Sequence, residues 1–350
     1  MNRLGFGCHI PNFSGINDTQ IEAPSNERFD YPIIQEVALL CEELGYDGLW
    51  IADHVMLGNR GEVGECWTLL SALAAVTRRI RLGPFVLCDA HRNPALVAKM
   101  VATLDNISGG RVDYGIGAGW NRVEQESYGM PWLEKPIERI KRMEEGIEIV
   151  KKMWTEDKPS FEGEYYRIKE AICLPKPVQK PHPPIWVAGQ GERMLKAVAK
   201  YANGWNWFST TAEQHRKLMD MIRKWCEVLG RNYNDIAISW QGRTLIAKNK
   251  VNLEEKIDRI RRLNPRYPLS IEKKAMKIPP YPFFHQAVTG GSSETMDFRT
   301  LGLVGTPEEI IERMRQYIDV GVKYFMHIFI DFPSTEGIEL FAEKVIPALR

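Results

Sequence analysis

Leu49-Trp50-Ile51-Ala52-Asp53-His54 is an apolar run that stops abruptly at a carboxylate and an imidazole. Read as a buried strand, it delivers two titratable groups to the rim of a sheet. Asp53 can anchor a ligand there, and His54 can exchange a proton near neutral pH. A strand that merely surfaces in a polar turn has the same look, so the surroundings decide. Upstream, Pro32–Leu44 places Ile33, Val37, Leu40, Cys41 and Leu44 at helical spacing and is stopped by Gly45. Downstream, Trp67–Arg78 is a helix with a broad apolar face.

The alternation continues in both directions. Leu4–Ile10, Asp47–Asp53, Ile80–Leu87, Arg111–Ala118, Ile185–Ala188, Gly204–Ser209, Ile236–Ala247 and Tyr324–Ile330 read as eight strands. Helical patterns follow them, among them Pro94–Ile107, Pro136–Trp154, Glu192–Ala202, Glu213–Leu229 and Ile338–Leu349. Thr306-Pro307-Glu308-Glu309 opens another, with an N-cap, a proline at the first helical position and a capping-box glutamate. Eight strands each followed by a helix predict an α/β fold, a (β/α)8 TIM barrel spanning 1–350 as one domain. An open doubly wound sheet is the alternative. Insertions are expected after strands four and seven. The first is a two-stranded excursion, Ser160–Tyr166 and Arg167–Leu174. The second is Leu263–Leu303, whose five prolines and Gly290-Gly291-Ser292-Ser293 read as a lid or binding loop, or as a surface insertion.

Composition narrows the function classes. The 350 residues are 44% hydrophobic with a net charge of +1, so no basic field invites nucleic acid. No apolar run is long enough to span a membrane. The six cysteines are scattered without a C-x-x-C pair, which points to a reduced cytoplasmic protein. In a barrel of this kind the site lies at the carboxyl ends of the strands. Those ends read Cys8-His9, Asp53-His54, Cys88-Asp89, Gly117–Asn121, Gly189-Gln190-Gly191, Ser209–Thr211, Gln241 with Arg243, and Asp331. Gly115-Ile116-Gly117-Ala118-Gly119-Trp120-Asn121 lets a backbone approach a flat ligand, and no helix is expected directly after it. Ala188-Gly189-Gln190-Gly191-Glu192 opens a helix, where free amides suit a phosphate; a plain helix start with Glu192 on the dipole is the competing reading. His9, His54, His91 and His327 could gather at the mouth, but no H-x-H or H-x-x-x-H pair supports a metal, and none is expected.

Together these motifs resemble the bacterial-luciferase-like family of flavin and deazaflavin enzymes. The resemblance covers nearly the whole chain. It is strongest over Arg79–Gly129, RIRLGPFVLCDAHRNPALVAKMVATLDNISGGRVDYGIGAGWNRVEQESYG, with Val187–Asn203 and Val304–Phe325 following in order. It implies a dimeric (β/α)8 barrel with an isoalloxazine-type ring at its mouth. One branch uses reduced FMN and oxygen; the other exchanges hydride with the deazaflavin coenzyme F420. The deazaflavin branch ends strand two in Asp-His, as here, so the resemblance implies Asp53 beside the ring and His54 on the substrate proton as the catalytic pair. It implies a non-prolyl cis peptide at Phe85-Val86 bulging against the ring. Cys88, Ala118, Gly119 and Asn121 then meet the ring or its tail, and Ala188, Gly189, Gln190 and Gly191 form the phosphate site. The leading expectation is a coenzyme F420-dependent oxidoreductase acting on a small-molecule substrate. An FMN-dependent monooxygenase is the alternative within the enzymes, and a non-catalytic flavin- or deazaflavin-binding protein the alternative outside them.

Overall fold

The strand–helix alternation resolves into a parallel sheet rolled into a barrel. The computed structural model describes residues 3–13, 28–57, 62–208, 210–263 and 302–350. In chain order its strands are β1 (Gly5–His9), β2 (Gly48–Ile51), β3 (Arg81–Pro84), β4 (Leu87–Cys88), β5 (Tyr114–Gly117), β6 (Phe161–Glu162), β7 (Arg167–Ile168), β8 (Ile185–Ala188), β9 (Gly204–Asn206), β10 (Ala237–Ile246), β11 (Leu303–Gly305) and β12 (Tyr324–Phe329). Around the barrel the order is β3-β2-β1-β12-β10-β9-β8-β5-β4. β3 and β4 are two pieces of one strand, and a parallel bridge from Leu82 to Val112 closes the circle beside β5. The eight expected strands are thus all barrel strands, and the doubly wound sheet is set aside.

The helices pack outside, each laying its apolar stripe on the sheet. Helix Tyr31–Glu43 buries Ile34, Val37, Ala38 and Cys41, and Asp30 caps it by accepting from Ile33 N–H. Full burial of one such aliphatic side chain stabilises by about 1.5–3 kcal/mol. The capping box foreseen at Thr306 and Glu309 forms, and Thr211 with Gln214 forms another. Inside the barrel, Trp50, Trp186, Tyr324 and Met326 fill the floor. Trp50 meets Trp186 edge-on at 5.4 Å and donates from Nε1 to the Tyr324 hydroxyl at 3.1 Å. These large rings fit because glycines face them. A Cβ on Gly7 would lie 2.5 Å from Trp50 Nε1, and one on Gly204 would lie 2.2 Å from Trp186 Cε3. The barrel interior is therefore filled with side chains at this level.

Several expectations change. Strand three, expected to run unbroken over Ile80–Leu87, is interrupted at Phe85-Val86, where the peptide bond is cis as the resemblance implies. The excursion after strand four shrinks to β6 and β7, two residues each and antiparallel. The last helix divides into Glu336–Lys344 and Ile346–Leu349, with Pro347 in the first turn of the second piece. Leu303, expected in the second insertion, instead starts β11, which pairs with Thr244–Ile246 of β10. The rest of that insertion, 264–301, lies outside the described residues, as does Ser209. No helix among the described residues is long and apolar enough to cross a membrane.

Candidate active site

Asp53 and His54 follow β2 at the barrel mouth and have different surroundings. The Asp53 side chain is wholly buried. Arg92 clamps it, donating from both terminal nitrogens at 2.9 Å, and Cys88 N–H donates to Oδ2 at 2.9 Å. His91 Nδ1 lies 3.3 Å from the same oxygen. Burial raises the Asp53 pKa, but the His91 contact and the Arg92 guanidinium outweigh it and hold the group at about 2. Arg92 continues outward to Glu65, 2.5 Å away. Asp53 thus stands after β2 as a fixed, ionised carboxylate. Its oxygens are engaged by protein donors, and it ties the loop after β2 to the loop after β4.

His54 meets a carboxylate that sequence reading did not single out. Its Nδ1 lies 2.9 Å from Glu124 Oε2, while Glu124 Oε1 accepts from Val55 N–H at 2.5 Å and Met56 N–H at 2.9 Å. Burial disfavours the charged carboxyl, but the bond and charge of His54 and the amides of Met56 and Val55 prevail, so its pKa lies below the usual value. Glu124 is reached through a helix, Arg122–Ser127, that begins immediately after the glycine stretch. This corrects the expectation of no helix there. Asn121 is its N-cap, with Oδ1 accepting from Glu124 N–H at 3.3 Å. The only sequence signal was N-x-x-E, which reads as a cap. Trp120 stands edge-on to His54, ring centroids 5.2 Å apart.

Around the cis bond, Phe85 turns inward to His9, 4.9 Å between rings. Val86 lies over β5, where a Cβ on Gly115 would meet Pro84 O at 2.4 Å and one on Gly117 would meet Val86 Cγ2 at 3.0 Å. Only glycine lets the bulge settle there. Gly119, with φ +78°, leaves room for Cys88 Sγ, 2.7 Å from where its Cβ would stand. Burial pushes the Cys88 thiol up, so it is no nucleophile at neutral pH. His9 is buried with Nδ1 unpartnered among the described residues, and burial followed by the nearby His54 lowers its pKa to about 3. An orphaned polar atom of this kind calls for a partner that enters the mouth.

β8 pairs with β5 up to Ile116 and Val187, so Ala188–Gly191 and Ala118-Gly119 leave the same end of adjacent strands. Gly189 N–H donates to Asn206 O at 3.2 Å, so its amide is engaged by the sheet. Helix Glu192–Tyr201 starts at Gly191 with no side-chain cap, and among the described residues a Cβ on Gly191 would meet nothing within 4 Å. That open, uncapped turn fits an anion. His327 is not at the mouth. It lies between the sheet and helix Glu336–Lys344, with its ring 4.2 Å from Phe341, and burial lowers its pKa to about 3. Among the described residues no three His, Cys, Asp or Glu side chains group as a metal ion requires.

Known proteins bear on this arrangement. Residues 6–324 match the luciferase-like monooxygenase family. The chain is 28% identical to an F420-dependent glucose-6-phosphate dehydrogenase of Amycolatopsis mediterranei (strain U-32), over 93% of this chain and 97% of that one. It is 27% identical to an FMNH(2)-dependent dimethylsulfone monooxygenase of Pseudomonas putida, over 99% and 95%. Among solved structures, an F420-dependent secondary alcohol dehydrogenase in complex with an F420-acetone adduct shares the fold with a TM-score of 0.76 at 20% identity, covering 99% of both chains. With a match that spans nine-tenths of its length, the chain belongs to the luciferase-like monooxygenase family.

Proposed function

We propose that this oxidoreductase moves a hydride between coenzyme F420 and a carbon of a small organic substrate, with His54 exchanging the accompanying proton. The observation that carries the reading is His54, held by Glu124, at the end of β2 and one strand from the Phe85-Val86 bulge. The residues present fit the coenzyme. Val86, Ala118 and Gly119 would hold the ring, and the uncapped turn at Gly191 its phosphate. When bound, the deazaflavin supplies the hydride acceptor or donor. The chain contributes orientation, an aromatic wall at Trp120, and a titratable ring whose Nδ1 is already paired. The F420-dependent relative supports this choice of coenzyme.

A second reading, a monooxygenase using reduced FMN and oxygen, is supported by the FMNH(2)-dependent relative. The test is to purify the protein from a deazaflavin-producing host and identify the co-purifying molecule by spectrum and mass. Secondary alcohols, reduced pterins and activated alkenes are then screened for coenzyme reduction or oxidation. A bound deazaflavin and substrate-dependent hydride exchange are expected. Bound FMN, with oxygen consumed on reduction, would favour the second reading.

A further inference from the structure

We infer that Glu124 is the positioning residue that sets the tautomer of His54, keeping the ring proton on Nδ1 so that Nε2 is the nitrogen that exchanges protons. The inference rests on the reading of His54 as the proton carrier.

The geometry leaves the carboxylate little freedom. Both Val55 N–H and Met56 N–H donate to Oε1, which fixes the roll of the group and turns Oε2 onto His54 Nδ1 at 2.9 Å. An ionised carboxylate only accepts, so Nδ1 must donate, and a neutral imidazole then keeps its lone pair on Nε2. Burial favours protonation of Glu124, yet His54, Met56 and Val55 together keep it ionised in the neutral range. His91 supports the arrangement from behind, with Nε2 4.0 Å from Glu124 Oε2 and Nδ1 3.3 Å from Asp53 Oδ2. Arg92 in turn fixes Asp53.

The local chain supplies an independent sign. Glu124 is the third residue of its helix, where a glutamate or glutamine side chain folds back onto the N-cap amide. Two other helices of this chain do so. Gln214 accepts from Thr211 N–H at 3.2 Å and Glu309 from Thr306 N–H at 3.0 Å. Glu124 instead reaches across to the segment after β2 and to His54. The purely structural alternative is that Glu124 serves only to pin the Val55 and Met56 amides. It predicts no control of the imidazole.

Nitrogen NMR of the full-length, coenzyme-free protein labelled with 15N-histidine separates the two. The His54 signals are assigned by their loss in His54→Asn. In wild type, neutral His54 is expected as the Nδ1–H tautomer; an Nε2–H tautomer overturns the inference. Glu124→Gln keeps a carbonyl for the two amides but turns an NH2 toward Nδ1. The tautomer should flip to Nε2–H, and kcat should fall about 10–100-fold, with the Kd for coenzyme F420 within a few-fold of wild type. A folded Glu124→Gln protein whose tautomer is unchanged, or whose kcat is unchanged after the flip, overturns it. If the variant does not fold, the wild-type tautomer alone decides. Wild-type turnover in His54→Asn would instead overturn the reading of His54 and leave the tautomer result standing.

Discussion

Asp53 and His54 are adjacent, yet one is sealed and the other lines the mouth. Their sequence context shows two titratable groups at a strand end but not their partners, because those lie far away in the chain. Arg92 is 39 residues from Asp53, and Glu124 is 70 residues from His54. A lone glutamate behind N-x-x carries no mark that distinguishes a cap from a histidine partner. The difference in surroundings has measurable consequences. Asp53→Asn removes one partner of a buried ion pair and should cost on the order of 3 kcal/mol in denaturant unfolding at pH 7. Its folded pKa, about 2, lies below the ordinary 3.8. Its contribution, ~2 kcal/mol, is thus fully present above pH 4 and lost as pH falls toward 2. The stability gap between wild type and Asp53→Asn should accordingly narrow over that window, and a gap independent of pH would contradict it. His54→Asn keeps a hydrogen-bonding group but cannot titrate near neutrality. Turnover should fall roughly 10²–10⁴-fold, with coenzyme affinity within a few-fold. Near wild-type turnover with chemistry rate-limiting would send the proton by another route, with His9 the next candidate.

Among the elements, the long helices and the eight barrel strands were legible, while the short helix Arg122–Ser127 and the strand β11 were not. Apolar spacing marks Pro136–Thr155, but six residues after a glycine stretch, Arg122–Ser127, carry too little periodicity to announce a helix. β11, three residues long, is equally silent. The interruption between β3 and β4 leaves no trace in hydrophobicity, because Phe85 and Val86 continue the apolar run. It was implied only by resemblance, and its accommodation depends on Gly115 and Gly117 one strand away. Gly115→Ala would drive a Cβ into the Pro84 carbonyl and should destabilise the fold by roughly 1–3 kcal/mol in thermal or chemical unfolding. Unchanged stability would mean that β5 does not hold the bulge. Gly191→Asp makes the opposite comparison. Its φ of −62° and open surroundings accept a side chain, so stability should be preserved. A negative charge there should repel the coenzyme phosphate and weaken F420 binding at least about tenfold. Unchanged affinity would place the phosphate elsewhere.

For the molecule as a whole, strand–helix alternation foretold a parallel sheet flanked by helices, with a barrel as the natural closure and an open doubly wound sheet as the alternative. What alternation does not contain is closure. That depends on the Leu82–Val112 bridge and on a floor of Trp50, Trp186 and Tyr324 seated against glycines. Closure turns separate motifs into one site. It brings the carboxyl ends of β2, β4, β5 and β8 to one end of the barrel, and with them the segments that carry His54, Val86, Gly119 and Gly191, scattered over 138 positions. The same frame serves relatives that use F420 and relatives that use FMNH(2). The coenzyme is therefore the point on which the proposed function stands. Titrating the purified protein with oxidised F420 and with FMN, followed by fluorescence, tests it most directly. F420 should bind more tightly than FMN. FMN binding as tight or tighter, with oxygen consumed once the flavin is reduced, would contradict a deazaflavin enzyme.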